Sequence, residues 1–278
     1  MVRVTQYVAG LIGCGFIGKT IASHLDEHFD DIQLRTIYDE YIEMARKLSG
    51  TLKHHPIVAE NPNVIMDDRA IDLLIEAAST EAARKYVPNA LRSGKNVLMM
   101  SVGALADAKL YNEVTSLAHS NNVKIYMPSG AIGGLDWVKA AANVGLSKVV
   151  ITVRKPPRGL EGSPHVVKNN IDLSSIKYAT QIYEGTASDA ITAFPANVNV
   201  AIALALAGIG VTDTKVRVIA DPLATRNSHE IIAEGEAGKI TVKVENLPAP
   251  TNPKTSWVAA LSAIQKIKGL IEPISLGS

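Results

Sequence analysis

Short apolar runs separated by amphipathic stretches fill the first half of the chain. Tyr7 to Ile12 is such a run, and beyond a glycine turn Ile17, Ile21 and Leu25 recur every four residues. That spacing predicts a strand followed by a helix with one buried face. QLRTIYD, ending at Asp39, reads as a second strand, and EYIEMARKLSG as a short helix closed by Gly50. KHHPIVAENPNVIMDD mixes a strand with turn signals at Pro56 and Pro62. The compact run from Ile71 to Ala77 suits a buried parallel strand. Ser79 and Thr80 cap the next helix, which Pro88 bends or interrupts and Gly94 ends. KNVLMMSVGALAD and NNVKIYMPSG supply two further strands. This alternation is the βαβ rhythm of an open parallel sheet, whose ligands lie beyond the carboxyl ends of its strands.

After SGAIGGLDWVKAAANVG, a small-residue turn running into a helix, the rhythm changes. SKVVITVR is strand-like, and KPPRGLEGSPH predicts a surface loop. VRVIADP, SHEIIAEG and KITVKVEN alternate as strands with one covered face, and PANVNVAIALALAGIG suits a helix packed on them. NPKTSWVAALSAIQKIKGL reads as turn and cap residues followed by a helix, with Trp257, Leu261, Ile264 and Lys268 on one face. The expected fold class is α/β, a Rossmann-type parallel-sheet domain with a second α+β catalytic domain. Its expected divisions are a dinucleotide-binding domain at 1–130, a catalytic and dimerisation domain at 131–250, and a C-terminal helix and tail at 251–278 that packs back on the first. The cleft between the two domains is the expected reaction site.

Composition narrows the classes. Of 278 residues, 47% are hydrophobic and 20% charged, which suits a globular chain. With 28 Lys and Arg against 27 Asp and Glu, nothing in the overall charge points to nucleic acid. The N-terminal stretch shows no signal-peptide cleavage pattern, and the apolar segment from Val198 to Val211 is short for a membrane span and contains Asn199. The single cysteine, Cys14, forms no internal disulfide framework, so a reducing, cytoplasmic setting is the simplest reading. In the glycine turn Cys14 reads as a small packed side chain. His54 and His55 are adjacent rather than four apart and read as solvated, so no metal is expected.

The chemistry begins at Gly13, Gly15 and Gly18, a G-x-G-x-x-G turn between strand and helix. Gly13 makes the turn, Gly15 admits a pyrophosphate to the helix N-terminus, and Gly18 lets helix and strand approach. Phe16 and Ile17 complete the cofactor-binding set of this stretch. Asp39 lies 21 residues beyond Gly18, where a carboxylate accepts from adenosine ribose hydroxyls and repels a 2′-phosphate. NAD is thus favoured over NADP, unless Arg35 or Lys47 compensates. Ala78–Ser79 and Ser101–Val102 are candidate cofactor walls, although Ser79 also fits a plain helix cap. Ser129–Gly134 could admit a nicotinamide or act only as a joint. Arg158 and His165 could meet an anionic substrate or simply occupy an exposed loop. Lys254, Thr255 and Ser256 could hold a carboxylate at a helix start, with Thr255 and Ser256 favoured as the substrate-binding pair.

GLIGCGFIG, IEAAS, SVGAL, PSGAIGGLD, FPANVNVA, VIADP, RNSHEI and NPKTS occur in that order, and through them the chain resembles the L-aspartate dehydrogenase family. The resemblance implies a Rossmann domain with an α+β catalytic domain, assembled as a homodimer. It implies oxidation of L-aspartate to iminoaspartate with NAD or NADP. The imine then feeds quinolinate synthesis, with quinolinate synthase as a metabolic partner, or hydrolyses to oxaloacetate and ammonia. By the same correspondence Ala131 lies by the cofactor, Asn197 (or else Asn199) meets its nicotinamide end, and His229 is the catalytic histidine. A histidine is suited to moving the proton released as the C=N bond forms. The alternatives are another amino-acid or dicarboxylate oxidoreductase, such as a dihydrodipicolinate-reductase-like enzyme, and a nicotinamide-responsive regulatory protein without turnover.

Overall fold

The computed structural model describes residues 7–195, 199–250 and 252–274, with backbone alone at 253 and 254. The chain divides into two compact units, one of Met1–Pro128 with Ala260–Leu276, the other of Ser129–Ala259 with the final two residues.

In the first unit the apolar runs become six parallel strands: β1 (Tyr7–Ile12), β2 (Ile32–Tyr38), β3 (Ile57–Val58), β4 (Leu73–Glu76), β5 (Asn96–Met99) and β6 (Ile125–Tyr126). Their order is β3-β2-β1-β4-β5-β6, so the winding reverses between β1 and β4. An open sheet of this order binds dinucleotides at the reversal, beyond the carboxyl ends of the strands. The helix Phe16–His28 buries Gly18, Ile21, Ala22 and Leu25. These pack with Leu11, Leu34, Ile37, Leu73, Ile75 and Leu98. Ala263, Ile264 and Ile267 of the helix Trp257–Lys268 join the same core.

Pro88 neither bends the chain out of helix nor ends it. The helix Thr80–Arg92 runs through it, with Pro88 buried. Proline φ is itself helical, so the helix passes through Pro88 with one backbone donor fewer. Lys95 is also buried, its ammonium donating to the carbonyls of Asp68 (2.7 Å) and Ile71 (3.0 Å).

The second unit is built on a mixed sheet of β7 (Leu146–Lys155), β8 (Thr180–Thr186), β9 (Lys215–Ala220), β10 (Asn227–Gly235) and β11 (Gly238–Asn246), ordered β11-β10-β7-β9-β8. Only β7 and β9 pair in parallel. Val149, Ile151 and Val153 of β7, Ile231 and Ala233 of β10, and Val216 and Val218 of β9 are buried, which defines the covered face. At Gly208, just past the apolar helix Asn199–Ala207, a Cβ would lie 3.3 Å from both Val149 and Val138, so the backbone approaches this face closely.

Two expectations change here. KPPRGLEGSPH is not a simple surface loop: it forms a 3-10 turn (Pro157–Gly159) and a short helix (Pro164–Lys168), anchored by buried Leu160, Ser163 and Val166. NPKTS is not a helix cap but a short strand, β13 (Asn252–Ser256), paired with β12 (Pro248–Ala249). Antiparallel pairing with Pro248 and Ala249 satisfies backbone groups that a turn would leave to water.

Gly18 and Gly15 separate packing from openness. A Cβ on Gly18 would drive into the Gly13 carbonyl oxygen, whereas one on Gly15 meets nothing within 4 Å. Gly18→Ala should therefore lower unfolding stability in urea by about 1–3 kcal/mol. Gly15→Ala should cost less than about 1 kcal/mol, and equal losses would contradict this packing.

Candidate active site

The carboxyl end of the parallel sheet is shaped by backbone proximity. Gly13 has φ +96°, and a Cβ there would lie 2.5 Å from the Ala77 carbonyl oxygen and 2.8 Å from the Ala78 Cα. The turn is thus pressed against the end of β4, in a conformation that glycine adopts without strain. Gly15 is exposed over open space, and half-buried Phe16 and Ile17 begin the helix. First-turn N–H groups have no intrahelical acceptor, so the residues present fit a pyrophosphate.

Asp39 closes this turn from β2. One carboxylate oxygen accepts from the Cys14 N–H (2.7 Å) and the other from the Tyr41 N–H (2.9 Å). A carboxylate accepts about four hydrogen bonds, so capacity remains for a ribose diol. Arg35 pairs with Asp68 at 2.7 Å. Cys14 is buried, and burial together with the Asp39 charge pushes its thiol up to about 12. It is an inert packing residue. Ser79 caps its helix, its hydroxyl accepting from the Ala82 N–H at 3.1 Å.

Glu76 was missed in the sequence reading. It is fully buried and accepts from the Ala78 N–H (2.9 Å), the Ser101 N–H (2.9 Å) and the Ser101 hydroxyl (2.8 Å). It thereby ties the loop after β4 to the loop after β5. Burial raises its pKa, and the three donors oppose that rise. An acidic residue ending the apolar run LLIE was the available signal.

In the second unit His229 lies on β10 opposite Val153 of β7 and Val244 of β11. The registers also set Asn227 opposite Asn246 and Lys155 opposite Ala220 of β9. Alternation places Val153, Lys155, Asn227, His229, Val244 and Asn246 on one face. Asn246 donates its side-chain N–H to the Ala131 carbonyl at 2.8 Å, and Asn227 donates to the Ser256 hydroxyl at 3.3 Å. Ala131, Ser256 and His229, distant in sequence, therefore meet at one polar end of an otherwise apolar face. Thr255 is half-buried and precedes Ser256 in β13, so alternation turns it the other way. Asn197 and the Lys254 side chain lie outside the described residues. Asn199 opens the apolar helix.

His229 is 3% exposed, and its Nδ1 has no hydrogen-bond partner among the described residues. Burial and then the charge of Lys155 lower its pKa to about 3, so it is neutral at pH 7. Lys155 is likewise buried, and burial brings it down to about 8. His165 sits in an aromatic cluster with Tyr183 and Phe194, its Nε2 3.1 Å from the Ile182 carbonyl. Arg158 falls in the neighbouring 3-10 turn. His54 pairs with Asp26, and both it and His55 are exposed. Among the described residues no group of three His, Cys, Asp or Glu could hold a metal. No helix among them is long and apolar enough to cross a membrane.

Comparison with known proteins agrees across both units. Residues 136–270 match a family model described as aspartate dehydrogenase, C-terminal, and residues 13–128 one described as homoserine dehydrogenase, NAD binding domain. The chain is 46% identical over 269 residues to an L-aspartate dehydrogenase of Methanosarcina barkeri, covering 97% of this chain and 98% of that protein. It is 47% identical over 270 residues to one of Methanosarcina mazei, with the same coverage. A solved aspartate dehydrogenase from Thermotoga maritima shares the fold, with a TM-score of 0.75 at 24% identity over 98% of this chain and all of that one.

The burial of His229 has a consequence for stability. In the unfolded chain its pKa is near 6.5, against about 3 when folded. Below 6.5 the unfolded state binds the proton first, so stability falls as pH drops from 6.5 towards 3. At pH 5 this one group removes about 2 kcal/mol. In urea unfolding at pH 7 and pH 5, His229→Asn should reduce the acid loss by that amount; an unchanged loss would contradict a buried neutral imidazole.

Proposed function

The chain belongs to the L-aspartate dehydrogenase family, and from that membership we propose that it oxidises L-aspartate to iminoaspartate with NAD. The observation that carries the reading is His229: a neutral, buried imidazole at the polar end of the second sheet, whose Nδ1 has no partner among the described residues. Gly13, Gly15, Phe16, Ile17, Gly18, Asp39, Ala78 and Ser79 hold the dinucleotide, and Ala131 and Asn197 its nicotinamide end. Bound by these residues, NAD would supply the acceptor for a hydride from the substrate Cα. His229 receives the proton that leaves the amino nitrogen as the C=N bond forms, and it can later activate water for hydrolysis to oxaloacetate and ammonia. Of the substrate-binding pair Thr255 and Ser256, Ser256 stands on the face of His229 and meets the substrate there, whereas alternation turns Thr255 the other way. NAD is preferred over NADP because the Asp39 carboxylate would repel a 2′-phosphate and Arg35 is engaged by Asp68.

We further propose that the enzyme works in the cytoplasm as a homodimer and supplies its imine to quinolinate synthase. The domain division that goes with these roles is 1–130 for the dinucleotide, 131–250 for catalysis and dimerisation, and 251–278 for a C-terminal helix and tail.

The test is nicotinamide absorbance on mixing purified protein and NAD with L-aspartate, set beside D-aspartate, glutamate, malate and homoserine. Reduced cofactor should form selectively with L-aspartate. No reaction in that direction, nor with oxaloacetate, ammonia and reduced cofactor, would overturn the assignment. His229→Ala should lower turnover by about 10²- to 10⁴-fold with little change in NAD affinity; near-normal turnover would remove the acid/base role. Asp39→Ala should weaken NAD binding by about tenfold or more and NADP binding less. Equal losses would contradict the ribose role.

A further inference from the structure

Aspartate carries two carboxylates, and taking an anion out of water demands a positive or multi-donor partner at the place where it is bound. The cations near the polar end of the second sheet differ in where they face. Arg154 alternates away from the covered face and pairs with Asp221 at 3.2 Å. Lys155, the next residue, continues the buried series Val149, Ile151 and Val153 of β7 and is only 4% exposed. It stands on the face that carries His229 and Asn227, and the register of β7 with β10 brings the three to the same end of the sheet.

We propose that Lys155 receives a carboxylate of the substrate, holding the amino acid on the sheet face that carries His229. The inference rests on the aspartate dehydrogenase reading. The Lys155 ammonium disfavours the protonated form of the neighbouring His229, and it is the charge that, after burial, lowers His229. A carboxylate arriving at Lys155 brings negative charge to the point where the ammonium acts on His229. Substrate binding and the basicity of the imidazole are thereby coupled. Ser256, hydrogen-bonded to Asn227 on this face, supplies a neighbouring hydroxyl.

The experiment compares wild type with Lys155→Met, similar in length but uncharged, and Lys155→Arg, which keeps the charge. Succinate serves as a non-reacting dicarboxylate probe. In Lys155→Met the KM for L-aspartate and the inhibition constant for succinate should both rise by about 50-fold, while NADH binding stays within about twofold of wild type. Lys155→Arg should recover part of the loss. A KM and inhibition constant close to wild type in a Lys155→Met protein that binds NADH would overturn the proposal. Where a variant fails to bind NADH, the wild type decides: with NADH present, the Lys155 side-chain ¹⁵N resonance should shift on adding succinate, and an unmoved resonance during succinate binding, or no succinate binding at all, overturns the proposal. Absence of wild-type turnover with L-aspartate would instead remove the aspartate reading, leaving Lys155 to be judged on succinate.

Discussion

Strand alternation places every second residue of β7, β9, β10 and β11 on one covered face of a mixed sheet, and that geometric constraint makes the polar end of the face what it is. Along most of the face the alternate positions are Val, Ile and Ala, buried in β7, β9 and β10 and half-buried in β11. At one end the same positions become Lys155, Asn227, His229 and Asn246. Polar groups in such a place keep their cost unless they find partners. Asn246 finds the Ala131 carbonyl and Asn227 the Ser256 hydroxyl, whereas the His229 Nδ1 has no partner among the described residues. Buried polar groups are nearly always satisfied, and of the three buried side-chain atoms left without a partner among the described residues, the Tyr183 hydroxyl, the Thr214 hydroxyl and the His229 Nδ1, the imidazole nitrogen is the one suited to moving a proton near neutral pH.

The first unit obeys a different constraint, close approach of backbone to backbone. The Gly13 turn presses on Ala77 and Ala78, and the helix after it presses on the turn at Gly18. Side chains are excluded from both contacts, and the space left open lies over Gly15. Asp39 and Glu76 then brace this end by accepting backbone N–H groups, Asp39 from Cys14 and Tyr41, Glu76 from Ala78 and Ser101. Two carboxylates thus serve as local scaffolding, one fully buried and the other with acceptor capacity remaining.

Much of this was legible in the residues. Short apolar runs located the parallel strands, period-four spacing the helix after the glycine turn, and strand-like or alternating runs β7, β9, β10 and β11, because in each the pattern follows burial directly. The strand β8 was not read, since TQIYEGT is an exposed-to-half-buried edge strand without a clean apolar alternation. NPKTS looked like a helix start because its polar residues suit a cap as well as a strand, and only the chain at Pro248 and Ala249 decides between them. At the site, the glycines, Asp39 and His229 stood out through motif or family resemblance. Asn227 and Asn246 were not legible, since their roles depend on pairing across strands. Lys155 had a local signal, as the next alternate position after Val149, Ile151 and Val153. It was obscured by the proline-rich segment that follows.

The claim on which the account turns is that His229 is a neutral imidazole in the free protein and becomes a usable base only when the site fills. Histidine ¹⁵N resonances of wild-type protein, titrated with and without NADH and succinate, test it directly. The account predicts an imidazole that stays neutral down to about pH 5 in the free protein and titrates at clearly higher pH in the filled site. A His229 already protonated at neutral pH in the free protein, or one whose titration ignores the ligands, would contradict it.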